Sequence, residues 1–373
     1  MDKNSIKTGF ITEAKLVELY GSPAQKKSYK EKGHFVSSYK SNLLKKVSKY
    51  CKIEETNEKK DGTNLYNITQ VYNVPLPSNF DKMNKSLYQY IVPLILNSLI
   101  NGHDKNNSIE ITVGKWAREI NMVNQNYNLV KFNREDTSTE TQIQLDTINE
   151  FYDKADHAIN YYISNALDYL KSAGLIIWRE VNRITVEESD GTTIIDHDGK
   201  VSLNINLTTH QAFKEEMDYY SQCISIADKE AKIDSAGERY YSKKAPIFQN
   251  ALKRELYKRK IKFVYSTYEA YYVHLDRCQA LLDHFEGFNA KKFLDKFNQE
   301  FSDMLIENAG NRFDKNTKAI LRSLYKNRGE YELAFGSLCD IAINNETEYL
   351  GKRIQKKTND DNYTLQITHN PEE

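Results

Sequence analysis

Nine lysines fall between Ala24 and Lys52, a stretch of 29 residues in which Glu31 is the only acid. Tyr29, His34, Phe35, Tyr39 and Tyr50 are interleaved with them. An ammonium group is a compact point charge that suits phosphate, and rings set among cations suit nucleobases. The plainer reading of a charge run is a solvated face; the strength of the bias and the aromatic interleaving favour nucleic acid. Lys26, Lys27, Lys30, Lys40, Lys45, Lys46 and Lys49 are the expected phosphate contacts. They would set affinity and register rather than sequence.

A second set of hydrogen-bonding groups lies between Asp153 and Lys171. Ala155, Ile159, Tyr162, Ile163, Ala166, Leu167 and Leu170 recur at steps of three and four, which makes one face of a helix apolar. The opposite side carries His157, Asn160, Tyr161, Ser164, Asn165, Asp168 and Lys171. Asparagine can pair bidentately with adenine, so His157, Asn160, Tyr161, Ser164 and Asn165 are the expected base-reading residues. That side is nearly neutral, however, and phosphate attraction dominates affinity. The lysines of 24–52 would have to hold the duplex while it is read. Arg179, Arg183 and Lys200, on the strands that follow, complete the expected phosphate contacts. Lys253, Arg254, Lys258, Arg259, Lys260 and Lys262 form another basic cluster, opposed only by Glu255; it fits DNA, an acidic partner or water.

Signatures of catalysis are sparse. There is no G-x-x-x-x-G-K-[ST] for a phosphate-binding loop, no H-E-x-x-H and no zinc-ribbon spacing. Asp196-His197-Asp198 sits on a Gly-terminated turn, where solvated turn chemistry explains it. His274 and Cys278 share a helix face near His284, and packing among Tyr271, Tyr272 and Leu275 accounts for them. Glu230-x-Lys232 lacks the apolar strand that would present a nuclease site. Catalytic residues, metal ligands and cofactors are therefore expected to be absent.

These groups need elements to position them. Thr12 caps a short helix to Tyr20, ended by Gly21-Ser22-Pro23, and Leu43, Leu44, Val47 and Tyr50 form a helical stripe. A strand from Lys52, a turn at Asp61-Gly62 and a return through Leu65–Tyr72 make a hairpin. Beyond the Pro75–Ser78 linker come a helix over Met83–Ile100, a strand over Ser108–Thr112 and a Thr112-capped helix with Val113, Trp116, Ala117 and Ile120 on one face. A polar insertion at 121–152 precedes the Asp153 helix; Leu145, Ile148 and Tyr152 extend that helix backwards, as a dimer helix would require. Gly174 marks its C-cap. A strand from Leu175 to Glu188 follows, then a turn at Asp190-Gly191, a return to Ile195 and a last strand over Val201–Leu207. From His210 to Asn345 the pattern reads as helical throughout, with breaks at Gly287 and Gly310.

The expected fold class is mainly α with small β wings (α+β), organised in four parts. These are a basic helix–hairpin module at 1–77, a module at 78–208, an α-helical domain at 209–345 and a basic, then polar, disordered tail at 346–373. Lysines and arginines number 52 and acids 52, so no global field draws the chain to DNA or a membrane. The apolar run Leu87–Ile100 is too short to span a bilayer. Four scattered cysteines and a start without the layout of a signal peptide point to a cytoplasmic protein.

The order helix, short strand, helix, further helix, β-ribbon resembles the winged-helix modules of phage and plasmid DNA-binding proteins, including iteron-type replication initiators. The resemblance rests on Thr112-Val113-Gly114-Lys115-Trp116-Ala117 and on Phe151-Tyr152 through Leu170-Lys171-Ser172-Ala173-Gly174-Leu175-Ile176. It covers about a third of the chain at the level of pattern, and the unit at 12–73 is a weaker second copy. It implies tandem winged helices and a non-catalytic, sequence-specific DNA-binding protein of a mobile element, acting as replication initiator or transcriptional regulator. The expected partners are double-stranded DNA, a second copy of the chain as a homodimer, and a replication or host protein met by the C-terminal helices. The alternatives are a nuclease or restriction-type enzyme, and a protein-interaction adaptor or inhibitor.

Overall fold

A computed structural model describes residues 6–60, 62–72, 75–102, 108–195, 201–285, 287–315 and 324–344; for 189–195 and 201–204 only the backbone course is described. The first unit opens with β1 (Gly9–Thr12) and three helices, α1 (Glu13–Tyr20), α2 (Pro23–Lys32) and α3 (Ser37–Val47). The hairpin of β2 (Cys51–Lys60) and β3 (Thr63–Val71) follows, and the antiparallel strand order is β1-β3-β2. Local chemistry sets these boundaries. The Thr12 hydroxyl accepts from the Lys15 amide at 3.3 Å, and Ser22 with Gln25 makes a capping box behind Pro23 at the first turn of α2. Leu16, Val17, Tyr20, Leu43, Val47, Tyr66 and Ile68 form a buried core of this unit's own.

The remaining elements begin with α4 (Phe80–Met83), α5 (Tyr88–Asn101), β4 (Ser108–Ile111), α6 (Val113–Glu119), α7 (Asn126–Phe132), α8 (Arg134–Thr141) and α9 (Leu145–Ser172). A long ribbon of β5 (Ile176–Ile195) and β6 (Val201–Gln211) leads to α10 (Lys214–Ala231), α11 (Glu238–Tyr241) and α12 (Ala245–Tyr257). Then come β7 (Ile261–Tyr272), α13 (Leu275–His284), α14 (Ala290–Asp314) and α15 (Arg328–Ala342). The second sheet is antiparallel in the order β4-β7-β5-β6.

Several expectations change here. The stretch 261–272, read as helix, is a strand that pairs with β5 from Ile176 to Val186, so the region beyond 209 is not all-helical. Alternation of exposed Phe263 and Tyr265 with half-buried Val264 is a period of two, and the cluster of cations before it masked that signal. The expected division at 208/209 therefore runs through one sheet, and one buried cluster extends from Met83 to Ile343. Asp190-Gly191 is not a hairpin turn: β5 continues past it, with a register shift between Ser189 and Thr193. The helix expected over 83–100 is broken after Met83, with Ser86 at a φ of 49°. Gly310 lies inside α14 rather than ending it; a β-carbon there would come within 2.6 Å of Arg328 Nε on α15. The polar insertion folds into α7, α8 and the first turns of α9.

α9 is the element around which this region packs. Its Ile148, Phe151, Tyr152, Ala155, Ile159, Ile163, Ala166, Leu167 and Leu170 are buried, and it touches α5, α6, α8, α15 and β5. The Leu145–Ile159 seam is filled within the chain: Phe151 meets the Phe335 ring at 5.6 Å and Tyr152 meets Tyr127 at 5.0 Å. Gly174, at a φ of 67°, ends the helix in the left-handed conformation expected of it. Among the described residues no helix is long and apolar enough to cross a membrane.

Candidate nucleic-acid interface

The first unit and the start of the second share one local step. Ile11-Thr12-Glu13-Ala14-Lys15-Leu16-Val17 and Ile111-Thr112-Val113-Gly114-Lys115-Trp116-Ala117 occupy the same step from first strand into capped helix. Thr112, like Thr12, accepts from the amide of the lysine three residues on, at 3.2 Å. The sheets differ beyond that step: in the first the hairpin's return strand β3 lies beside β1, whereas in the second β6 is the far edge and β7, which follows α10–α12, lies beside β4. The I-T-x-x-K spacing was available in the sequence and marks this shared step more sharply than the helix–hairpin grammar does.

The lysines of the first unit divide into two groups. Lys26, Lys27 and Lys30 line the exposed side of α2, with Lys27 only 4.0 Å from Glu31. Lys45 and Lys46 are exposed on α3; Lys45 reaches Asp81 at 3.7 Å and Lys46 donates to the Tyr20 carbonyl at 3.2 Å. Lys49 is half-buried. Lys40 is committed inward: its ammonium donates to Glu55 Oε1 at 2.5 Å and stands 5.8 Å from the centre of the Tyr66 ring. Burial pulls its pKa down, but Glu55 and Tyr66 outweigh that and hold it above the ordinary lysine value. Lys40 thus fastens α3 to the hairpin.

Glu13 supplies a second fastening that its sequence context did not announce. It is buried, and its carboxylate accepts from the Phe35 amide at 3.2 Å and the Asn64 side chain at 3.0 Å. One carboxylate thereby ties the start of α1, the α2–α3 turn and β3. On the outward side of α3, Ser37, Ser38, Ser41 and Asn42 are exposed, and among the described contacts their side chains make no hydrogen bond within the chain. Sequence reasoning passed over them; the buried Leu43–Val47 stripe would have placed them on the outer face.

The expected base readers on α9 are differently disposed. His157, Asn160 and Tyr161 are exposed, Ser164 and Asn165 half-exposed. Asn160 Oδ1 accepts from the Tyr268 hydroxyl at 2.6 Å, Ser164 donates back to the Asn160 carbonyl at 2.7 Å, and Asn165 donates to the Tyr161 carbonyl at 2.9 Å. Asp168 accepts from Trp178 Nε1 at 3.0 Å. Much of this side is spent on internal bonds. Its open end faces a groove of about 430 Å³ between α9 and α14, where Lys154, His157, Tyr161, Asn308, Asn311 and Lys315 converge.

The arginines of the ribbon are paired. Arg183 donates to both Glu110 oxygens, at 2.6 and 2.5 Å, and Arg179 donates to Glu269 at 2.5 Å. Hydrogen bonds from Arg183 hold the Glu110 carboxyl below its usual value against the opposing effect of burial. Lys200 lies outside the described residues, as do Asp196-His197-Asp198 and the tail beyond 344. His274 caps no helix through its side chain, Cys278 is buried with burial pushing its thiol up to about 11, and His284 packs on the Tyr72 ring at 4.0 Å. Among the described residues no three His, Cys, Asp or Glu side chains gather as a metal site needs.

Comparison with protein-family models, with curated proteins and with solved structures finds no match.

Proposed function

We propose that this chain is a non-catalytic, sequence-specific DNA-binding protein built on tandem winged-helix units, the replication initiator or transcriptional regulator of a mobile element. The observation that carries this reading is the first unit's α2–α3 surface. Its exposed lysines stand beside exposed, unspent Ser and Asn side chains, on the helices that precede the hairpin. Cations there suit phosphates, and Ser37, Ser38, Ser41 and Asn42 on α3 suit base edges. The shared Ile-Thr-x-x-Lys step from strand into Thr-capped helix supports two units of one kind. Reading falls to α3 rather than α9, because Asn160, Ser164 and Asn165 are already engaged inside the chain.

The test is a fluorescence-anisotropy titration against duplex DNA from upstream of its own gene, at several salt concentrations. Lys26→Ala, Lys27→Ala and Lys30→Ala together should weaken binding to every sequence and flatten the log–log salt slope by roughly two to three units. Asn42→Ala should instead relax sequence preference with the slope unchanged. Absence of duplex binding by the wild-type chain at low salt would sink the reading.

A further inference from the structure

One basic cluster plays no part in that surface. Lys253, Arg254, Lys258, Arg259, Lys260 and Lys262 run from the end of α12 into β7. Three of the six are neutralised: Arg254 by Glu230 at 2.5 Å, Lys258 by Glu255, and Lys262 by Glu187 at 2.8 Å. Lys253 and Lys260 are exposed and have no carboxylate partner among the described residues, while the exposed Arg259 lies over the Tyr219 ring of α10 at 3.9 Å. The tract therefore carries a surplus of positive charge at the outer end of the second sheet.

The strand it leads into presents rings on an open face. Phe263 is 52% exposed and Tyr265 is 37% exposed, at alternate positions of β7 and so on one side of the sheet. Tyr265 stands directly across from Arg183, and Phe263 from Thr185, which meets the Thr209 hydroxyl on β6 at 2.8 Å. The opposite side is the covered one: Ile184, Val186 and Val264 pack there with Phe248 and Leu252 of α12 and Cys223 of α10. β4 pairs only with Tyr268–Tyr271, so among the described residues one edge of β7 is unpaired from Ile261 to Thr267. Rings two residues apart along a strand are separated by about 6.8 Å. Each has room for its own base, provided the bases are not stacked on each other.

We propose that Phe263 and Tyr265 form a stacking platform for an unpaired nucleic-acid strand, whose phosphates lie against the basic turn, Lys258 to Lys262, that leads into β7. A duplex cannot offer base faces to this surface, because its own stacking hides them. An aromatic platform beside a cationic track accepts any base, since every base has a π-face, so it holds single strands with little sequence preference. The site is separate from the α2–α3 surface and stands whether or not that surface binds duplex.

The test uses the full chain and a labelled oligothymidylate of about 20 nucleotides. Phe263→Ala and Tyr265→Ala should each lower its affinity about tenfold, the loss expected for one stacked base, with duplex binding and the melting temperature unchanged. Tyr265→Trp places a reporter on the platform, and its fluorescence should be quenched by the oligonucleotide. Poly-glutamate serves as the competing acidic-polypeptide probe. No single-strand binding overturns the proposal, as do wild-type affinity in both alanine variants, binding without quenching, or quenching by poly-glutamate alone. Loss of duplex binding after Lys26, Lys27 and Lys30 are replaced leaves it standing.

Discussion

Glu110 shows how one carboxylate decides what its neighbours are free to do. It accepts two bonds from Arg183 and a third from the Thr267 hydroxyl at 2.7 Å, joining β4, β5 and β7 across the open sheet face. Arg183 was an expected phosphate contact, but a guanidinium held bidentately by a carboxylate has spent the fork that phosphate would need. The pair also makes stability depend on pH. Because the folded-state pKa of Glu110 is depressed, its contribution is fully present above the ordinary carboxylate value of 4.5 and is lost as pH falls through the lower folded value. Glu110→Gln should therefore melt below wild type at neutral pH, and the gap should close as pH falls below about 4. Thermal melts of both proteins over that range test it; a gap that persists unchanged in acid would show that the ionised pair is not its source. The lysines at 24–52 and the polar side of the α9 helix were legible in the sequence as residue types. Which of them were unspent was not, because hydrogen bonds such as Tyr268 to Asn160 join residues 108 positions apart.

At the scale of elements, the addition at α10–α12 has a core of its own. Phe248 and Ala251 on α12, Cys223 and Ala227 on α10 and Ile184 on β5 are all buried together, apart from the cluster that surrounds α9. Phe248→Ala should cost about 3–5 kcal/mol, concentrated in this layer. Hydrogen exchange should rise in α10 and α12 while α5 and α9 stay protected; uniform loss of protection would mean that the two cores are one cooperative unit. A tie across them exists: Asp156 on α9 accepts from Tyr127 at 2.8 Å, from Lys131 at 2.6 Å and from Tyr241 on α11. Burial, then the Asp156 carboxylate, pushes the Tyr241 hydroxyl far above its ordinary pKa, so it stays a donor. The helices capped by Thr12 and Thr112 were readable because caps are local, whereas Ser22, read only as part of a helix end, also starts α2. β7 was not readable, since its pairing with β5 spans an addition of four elements, and its period of two is short and crowded by cations. The helix break after Met83 was likewise missed, although the polar Asn84-Lys85-Ser86 stands there ahead of the apolar run to Ile100.

The whole molecule is electrically neutral, but its halves are not. Residues 6–72 carry thirteen lysines against seven acids, a surplus of six, so the rest of the chain must carry a deficit of six. That surplus lies on a unit whose core shares no buried residue with the remainder. The two parts meet through few links, among them the Lys45–Asp81 pair, which is well exposed on both sides, and the Leu76 amide donating to the Lys49 carbonyl at 2.7 Å. An exposed pair of that kind adds little stability. Residues 6–79 expressed alone should therefore melt as a cooperative unit and bind duplex with a salt slope steeper than that of the full chain. Their affinity should exceed that of the full chain at low salt, where the acidic remainder repels phosphate over a Debye length of about 30 Å at 10 mM. The difference should vanish near 150 mM, where that length shrinks to about 8 Å and only direct lysine–phosphate contacts count. A full chain that binds duplex more tightly than the isolated unit, with a steeper slope, would place phosphate contacts in the second unit and return part of the reading to α9.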